Sequence, residues 1–261
     1  MSARSIWQGM LVIQKHRIAV KFYSAVLDRQ IHFHLLHKRD RTRVEQKMVD
    51  AETGKTVPLD LARKAFEVEK GRYIAVTREE VDGSAPEPAR EVEVSRFVPM
   101  QAIEPQFFDR PYYLGPGDDA AVDYFAFVQA LEKKKCAGIA SWTMRKHSYV
   151  AALIVDRGYL MAITLRHAEE VIPVSQLDPP QGRPLEAKER ELAVKLVETL
   201  SGRFDPEAYH DQYQQRVHEL IEAKRAGKKI KPKRASRQPS SESLADSLRS
   251  SLKAVSAHRN G

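Results

Sequence analysis

Between Phe97 and Val155 the chain changes its hydrophobic period twice, and this constrains the fold more than any other stretch. A β-type run from Val92 to Val98 leads into an aromatic crossing broken by Pro99, Pro105, Pro111 and Pro116. A helical stretch follows. Asp118 or Asp119 suits its N-cap, and Val122, Phe125, Val128 and Leu131 recur at helical spacing. Lys133, Lys134 and Lys135 crowd its last turn, where the dipole favours cations, and Gly138 offers a stop. Two β-rich runs then flank a basic tip of Arg145, Lys146 and His147: Cys136 to Met144 and Tyr149 to Val155. At about 3.3 Å per residue a nine-residue strand spans roughly 30 Å, enough to cross a nucleic-acid duplex. Residues from about 92 to 155 are therefore expected to form an extended bridging arm.

The flanking chain is also readable. Ile6 to Ile13 and Ile18 to Val26 are β-rich runs joined by a short basic link that includes Lys15 and Arg17. Ile31 to His37 alternates, and Val44 to Val49 reads as another strand. Pro58 suits the first turn of a helix reaching about Phe66, with Leu61, Ala62 and Ala65 inward. Thr77 to Glu80 has capping-box spacing. Asp156-Arg157-Gly158 is a turn before a return strand from Tyr159 to Leu165, and Ile172 to Val174 is a last short strand. Beyond it the period becomes 3.6. Leu192, Leu196 and Leu200 share one helical face. Asp205-Pro206-Glu207 signals a second helix, to about Ala226, with a stripe of Tyr209, Tyr213, Val217, Leu220 and Ile221. The chain after Ile230 is expected to be disordered, with at most a weak helix at Leu244, Leu248 and Leu252.

Charge narrows the function. The net charge is +8, and Lys224 to Arg237 holds eight basic residues and no acid. The rest balances at 35 Lys and Arg against 35 Asp and Glu, so a folded body that binds nucleic acid must segregate its charges. One cysteine, Cys136, excludes an intrachain disulfide and a cysteine-rich metal site. With no signal-like N-terminus and no apolar run of about 18 residues, a soluble cytoplasmic protein is expected. His32, His34 and His37 have a metal-like spacing, but basic residues follow at once and would repel a cation, so no metal is expected. No nucleophile elbow and no phosphate-cradling Gly-Lys-Ser/Thr loop is present, so neither an enzyme nor a cofactor is expected. The basic clusters suit phosphate contact without sequence reading. The candidate contacts are Lys15, Arg17, Lys38, Arg39, Arg145, Lys146 and His147 on the body, and Lys228, Lys229, Lys231, Lys233 and Arg234 in the tail.

The chain resembles the bacterial Ku proteins from Arg4 to about Lys229. Ser5-Ile6-Trp7-Gln8-Gly9, Val20-Lys21-Phe22-Tyr23-Ser24 and Phe108-Asp109-Arg110-Pro111-Tyr112-Tyr113-Leu114 carry the likeness. So does Leu200-Ser201-Gly202-Arg203-Phe204-Asp205-Pro206 with Tyr209-His210-Asp211. The resemblance implies a mixed β and α protein: a β-barrel core, an arm, a helical C-terminal segment and a basic tail. Residues 1–186 are expected to form the core with its arm, 187–229 a helical subdomain and 230–261 a flexible tail. It also implies a homodimer that rings double-stranded DNA ends in non-homologous end joining and recruits DNA ligase D. Lys21 then joins the DNA contacts, and Tyr209, Tyr213, Val217 and Leu220 become the ligase contacts. Relatives often carry Cys-x-x-Cys near Asp50 to Thr53; this chain does not, so no zinc carries over. Their bridge turn often reads Arg-Gly, then a basic residue and Glu. Here it is Arg145-Lys146-His147-Ser148, so Arg145 is the residue that transfers. The alternatives are a β-barrel RNA-binding or nucleoid scaffold protein without end preference, and a metal-dependent nuclease.

Overall fold

The computed structural model describes residues 4–87, 89–179, 182, 184–228 and 247–252. They belong to two compact units, residues 1–176 and 177–261. The first unit thus ends before the expected boundary at residue 186.

The first unit opens with a hairpin of β1 (Trp7–Ile13) and β2 (His16–Ser24). Its two-residue loop begins with Gln14 at φ 55°, the positive φ that matches the twist of the strands. Next come β3 (Lys64–Glu69), β4 (Arg72–Val76) and α1 (Arg78–Gly83), the last capped by the expected box between Thr77 and Glu80. Then follow β5 (Glu91–Pro99), β6 (Phe108–Pro116), α2 (Ala121–Lys134), β7 (Cys136–Met144), β8 (His147–Asp156) and β9 (Tyr159–Leu165). Seven strands close a barrel in the order β1-β2-β6-β9-β8-β7-β5, sealed by a parallel pairing of β1 with β5. The seam is short, joining Met10–Val12 to Glu91–Glu93, and it gives every strand of the barrel a neighbour on both sides.

Alternation fills the barrel. Ile18, Val20 and Phe22 of β2 are buried, as are Tyr112 and Leu114 of β6, Leu160 and Ala162 of β9, and Trp142 and Met144 of β7. Each large buried side chain contributes about 1.5–3 kcal/mol of transfer free energy. Phe22 lies at the centre of the aromatic packing, 5.1 Å from Trp7 and 5.4 Å from Trp142 between ring centroids. Gly9 must be glycine: a Cβ there would sit 2.2 Å from the Trp7 ring and 2.6 Å from the Arg90 carbonyl oxygen. That accounts physically for one position of the Trp7-Gln8-Gly9 motif.

Helix α2 packs on the barrel through Tyr124, Val128 and Leu131. Its apolar face differs from the expected one, because Val122 is 84% exposed and the fully buried Tyr124 takes the central place. The Tyr124 hydroxyl donates to the Leu114 carbonyl and accepts from the Leu160 N–H at 2.8 Å, tying the helix to β6 and β9. Neither aspartate caps the helix. Ala120 occupies the N-cap, and Asp118 instead pairs with Lys21. The helix ends at Lys135 in the left-handed region, and Gly138 lies inside β7.

The stretch from 92 to 155 is therefore barrel wall and its packed helix, and not the arm. Its strands find partners on both sides, which holds them in the barrel. The excursion lies between β2 and β5 instead. It carries β3 and β4 as a separate two-stranded sheet and two isolated bridges, Leu36 with Arg43 and Val49 with Thr56. The expected helix from Pro58 to Phe66 gives way to a turn and β3, because Gly71 at φ 81° lets residues 64–69 pair with 72–76. Ile31 to His37 and Val44 to Val49 lack neighbouring strands and do not form regular strands. Ile172 to Val174, expected as a last short strand, is irregular and runs into a 3-10 turn at Val174–Gln176.

The second unit contains α3 (Ala187–Leu200) and α4 (Gln212–Arg225). Asp211 caps α4 by accepting from the N–H groups of Tyr213 and Gln214 at 2.9 and 3.0 Å. Asp205 caps only a 3-10 turn at Pro206–Ala208, so the helix starts later than the Asp205-Pro206-Glu207 signal implies. Residues 247–252 are helical.

Candidate nucleic-acid interface

The register decides which basic residues can act together. β1 and β5 run parallel and β7 runs antiparallel to β5. The β1–β2 turn at Lys15 and the β7–β8 tip at Arg145 and Lys146 therefore open at opposite ends of the barrel. One compact cluster of Lys15, Arg17 and Arg145 to His147 does not exist.

Ion pairs sort them further. Arg17 is held by Glu91, Lys21 by Asp118 and Lys146 by Asp82, the last at 2.7 Å. The hydrogen bond that Lys21 donates to Asp118 raises the Lys21 pKa, and the one that Lys146 donates to Asp82 lowers that of Asp82. These three cations are already partly neutralised. Lys15, Arg145 and His147 are exposed and make no ion pair among the described residues. At the tip, Arg145 and Lys146 have φ of 53° and 65°, a two-residue turn with both residues in the left-handed region. Asn-Gly is the favoured occupant of such a turn, and two long basic residues there carry local strain.

Among the described residues of the first unit, the densest unpaired charge lies on the excursion. Residues 35–44 fold back on themselves: His37 N–H donates to Thr42 O at 2.8 Å, and Val44 N–H to Leu35 O at 3.1 Å. The loop between them displays Lys38, Arg39, Arg41 and Arg43, all exposed and none in an ion pair among the described residues. Lys38 and Arg39 are among the residues singled out from sequence; Arg41 and Arg43 complete the set. The missed signal was the Asp40-x-Thr42 spacing, which marks a side-chain-supported turn that turns all four cations out at one tip. Asp40 Oδ1 accepts from Thr42 N–H at 3.0 Å and Thr42 Oγ1 at 2.8 Å, which holds its carboxyl below the ordinary range. Asp50 does the same with Glu52 and Thr53 one bridge further on. Among the described residues no group of three or more His, Cys, Asp or Glu could hold a metal ion. Nor is any helix there long and apolar enough to cross a membrane.

The family model for the Ku70/Ku80 beta-barrel domain matches residues 12–194. The non-homologous end joining protein Ku 2 of Geotalea uraniireducens is 38% identical over 98% of this chain and 100% of its own length. The chain belongs to the Ku family. A Ku protein of Anaeromyxobacter is 36% identical over 99% of this chain and 88% of its own length. Another, from Coxiella burnetii, is 32% identical over 98% of this chain and 95% of its own. The solved SPOC domain of human PHD-finger protein 3 matches 62% of the chain and 97% of its own at 9% identity, with a TM-score of only 0.32.

In this Ku chain the expected helical stripe is broken at its start: Tyr213, Val217, Leu220 and Ile221 lie within α4, and Tyr209 does not. Tyr209 precedes α4 and stacks on Phe204 at 5.6 Å, while Tyr213 stands on the first turn. Both are exposed, at 73% and 69%. Val217 is buried and Leu220 is at 37% exposure, so Val217 is not open to a partner. Lys228 is exposed just after α4. Lys229, Lys231, Lys233 and Arg234 lie outside the described residues.

Proposed function

We propose that this chain is a non-enzymatic, homodimeric clamp on double-stranded DNA ends, acting in non-homologous end joining in the cytoplasm at the nucleoid. The excursion between β2 and β5 is the observation that carries this reading. It exposes Phe33, Leu35, Leu59, Leu61, Phe66 and Tyr73, each at more than 60%. Its regular sheet has two strands, and an isolated hairpin is marginal in water. Apolar surface on this scale calls for a cover, and a second copy offering the same segment supplies it. The same segment bears Lys38, Arg39, Arg41 and Arg43, so two copies joined there hold two sets of cations around one duplex. The names of the curated relatives point to the same process.

Affinity in this reading comes from phosphate contact and counterion release, without base reading. A closed ring admits a duplex only at an end. Linear fragments of unrelated sequence should bind equally while relaxed circles do not compete. Equal, salt-stable binding to closed circles would return the protein to the alternative of a scaffold without end preference. The second unit supports a division of labour, in which exposed Tyr209 and Tyr213 face DNA ligase D while the first unit grips DNA. Removing the chain after Ser201 should then abolish ligase stimulation and leave end binding partly intact.

A further inference from the structure

The basic loop at 37–43 contains one acid, and on charge grounds it is misplaced. An anion-binding tip gains nothing from a carboxylate among Lys38, Arg39, Arg41 and Arg43. Geometry explains it. The loop stands away from any hydrophobic core: Leu35 and Leu36 on its stem are 64% and 55% exposed, and an isolated bridge joins its two sides. Packing therefore cannot hold its shape. Polar contacts do, and they converge on one atom. Asp40 Oδ1 accepts from Thr42 N–H at 3.0 Å and from Thr42 Oγ1 at 2.8 Å, and lies 3.0 Å from His37 Nδ1. These contacts join the two stems of the loop. They accompany an Arg41 in the left-handed region at φ 60°, whose N–H donates to His37 O at 3.0 Å.

We propose that Asp40 is a positioning residue for DNA binding: its carboxylate oxygen pre-orders the loop that presents Lys38, Arg39, Arg41 and Arg43 to the phosphates. The proposal rests on the reading of this loop as a DNA contact. Without Asp40 the loop must be ordered at the moment of binding, which weakens affinity even though a repulsive charge has been removed. Hydrogen-bonding geometry and net charge therefore predict opposite results, and substitution can separate them. Asp40→Asn keeps an acceptor oxygen at the same reach and removes the negative charge. Asp40→Ala removes both. Asp40→Glu keeps the charge and displaces the oxygen by one methylene.

The experiment measures binding of a short blunt duplex by the full-length protein across a salt series, together with the thermal midpoint. Asp40→Asn is expected to bind at least as tightly as the parent. Asp40→Ala and Asp40→Glu are expected to bind about tenfold more weakly, the scale of removing one to two hydrogen bonds. They should also show a shallower salt dependence, because fewer phosphates are engaged, while the midpoint of the barrel stays unchanged. A generally unstable protein would move the midpoint and leave the salt slope alone. If Asn and Ala variants both tighten binding to the same degree, charge is the whole story and the proposal is overturned. A variant with all four cations changed to Gln distinguishes the two layers. If it binds as the parent does, the loop is not a DNA contact and the reading beneath has failed. If it binds weakly while Asn and Ala variants match, only the role of Asp40 has failed.

Discussion

Neutralising two sets of cations should give different salt dependences, and the structure sets the size of the difference. The first set is Lys38, Arg39, Arg41 and Arg43, exposed and without ion pairs among the described residues. The second is Arg17, Lys21 and Lys146, each already held by a carboxylate from a distant part of the chain. Each phosphate that a cation neutralises contributes about 0.9 to the slope of log affinity against log salt. In a homodimer the change falls on both copies, so replacing the four unpaired cations by Gln removes about eight and lowers the slope by up to about 7.2, which corresponds to roughly 20,000-fold between about 50 and 200 mM salt. The paired cations neutralise fewer phosphates, so the triple Gln variant should change the slope by less than about 1. Fluorescence anisotropy of a labelled short duplex, titrated at several salt concentrations, reads both slopes. If the paired triple flattens the slope as much as the unpaired four, intramolecular pairing does not govern which cations meet DNA, and the assignment of the interface is wrong.

Three further outcomes follow from particular contacts. Tyr124→Phe leaves the Leu114 carbonyl and Leu160 N–H without their hydroxyl partner, and should cost about 2–4 kcal/mol in urea unfolding. Burial raises the Tyr124 pKa to about 12 from 10.0. The stability this gives is complete below pH 10 and is lost as pH rises from 10 to 12, at roughly 1.4 kcal/mol per unit. An alkaline unfolding series should show that decline in the parent and not in Tyr124→Phe. Replacing Arg145-Lys146 by Asn-Gly relieves the left-handed strain and should stabilise the hairpin by about 1–2 kcal/mol while weakening duplex binding; an unchanged affinity would remove the tip from the interface. Tyr209→Ala with Tyr213→Ala should abolish stimulation of DNA ligase D and leave duplex affinity as it was, and ligation at the parent rate would place the ligase contact elsewhere.

Most strands of the barrel were legible in the sequence because they combine period-two patterning with short turns, whereas their closure into a barrel was expected from the resemblance alone. The links at Gln14-Lys15, Arg145-Lys146 and Arg157-Gly158 each announce a hairpin, and all three form as paired neighbours. The excursion was not legible in the same way. Ile31 to His37 alternates well, yet alternation marks a strand only where a neighbour exists, and here there is none among the described residues. Placing the arm at 92–155 failed for the reverse reason: long strands are also what a closed barrel needs, and length alone cannot tell wall from arm. The basic residues were visible one by one, but their neutralisation was not. Glu91 lies 74 positions from Arg17 and Asp118 lies 97 from Lys21, and only barrel closure brings them together. The role of Asp40 in its turn depends on the reach to Thr42, which two positions of sequence spacing could have suggested.

Entry through an end by a dimeric ring is tested most directly by counting protomers on short duplexes. Two duplexes of one sequence are compared by native mass measurement, one with a single free terminus and one with bulky blocks on both. Two protomers on the first and none on the second is the predicted result. A single protomer on the first, or equal occupancy of the two, contradicts it.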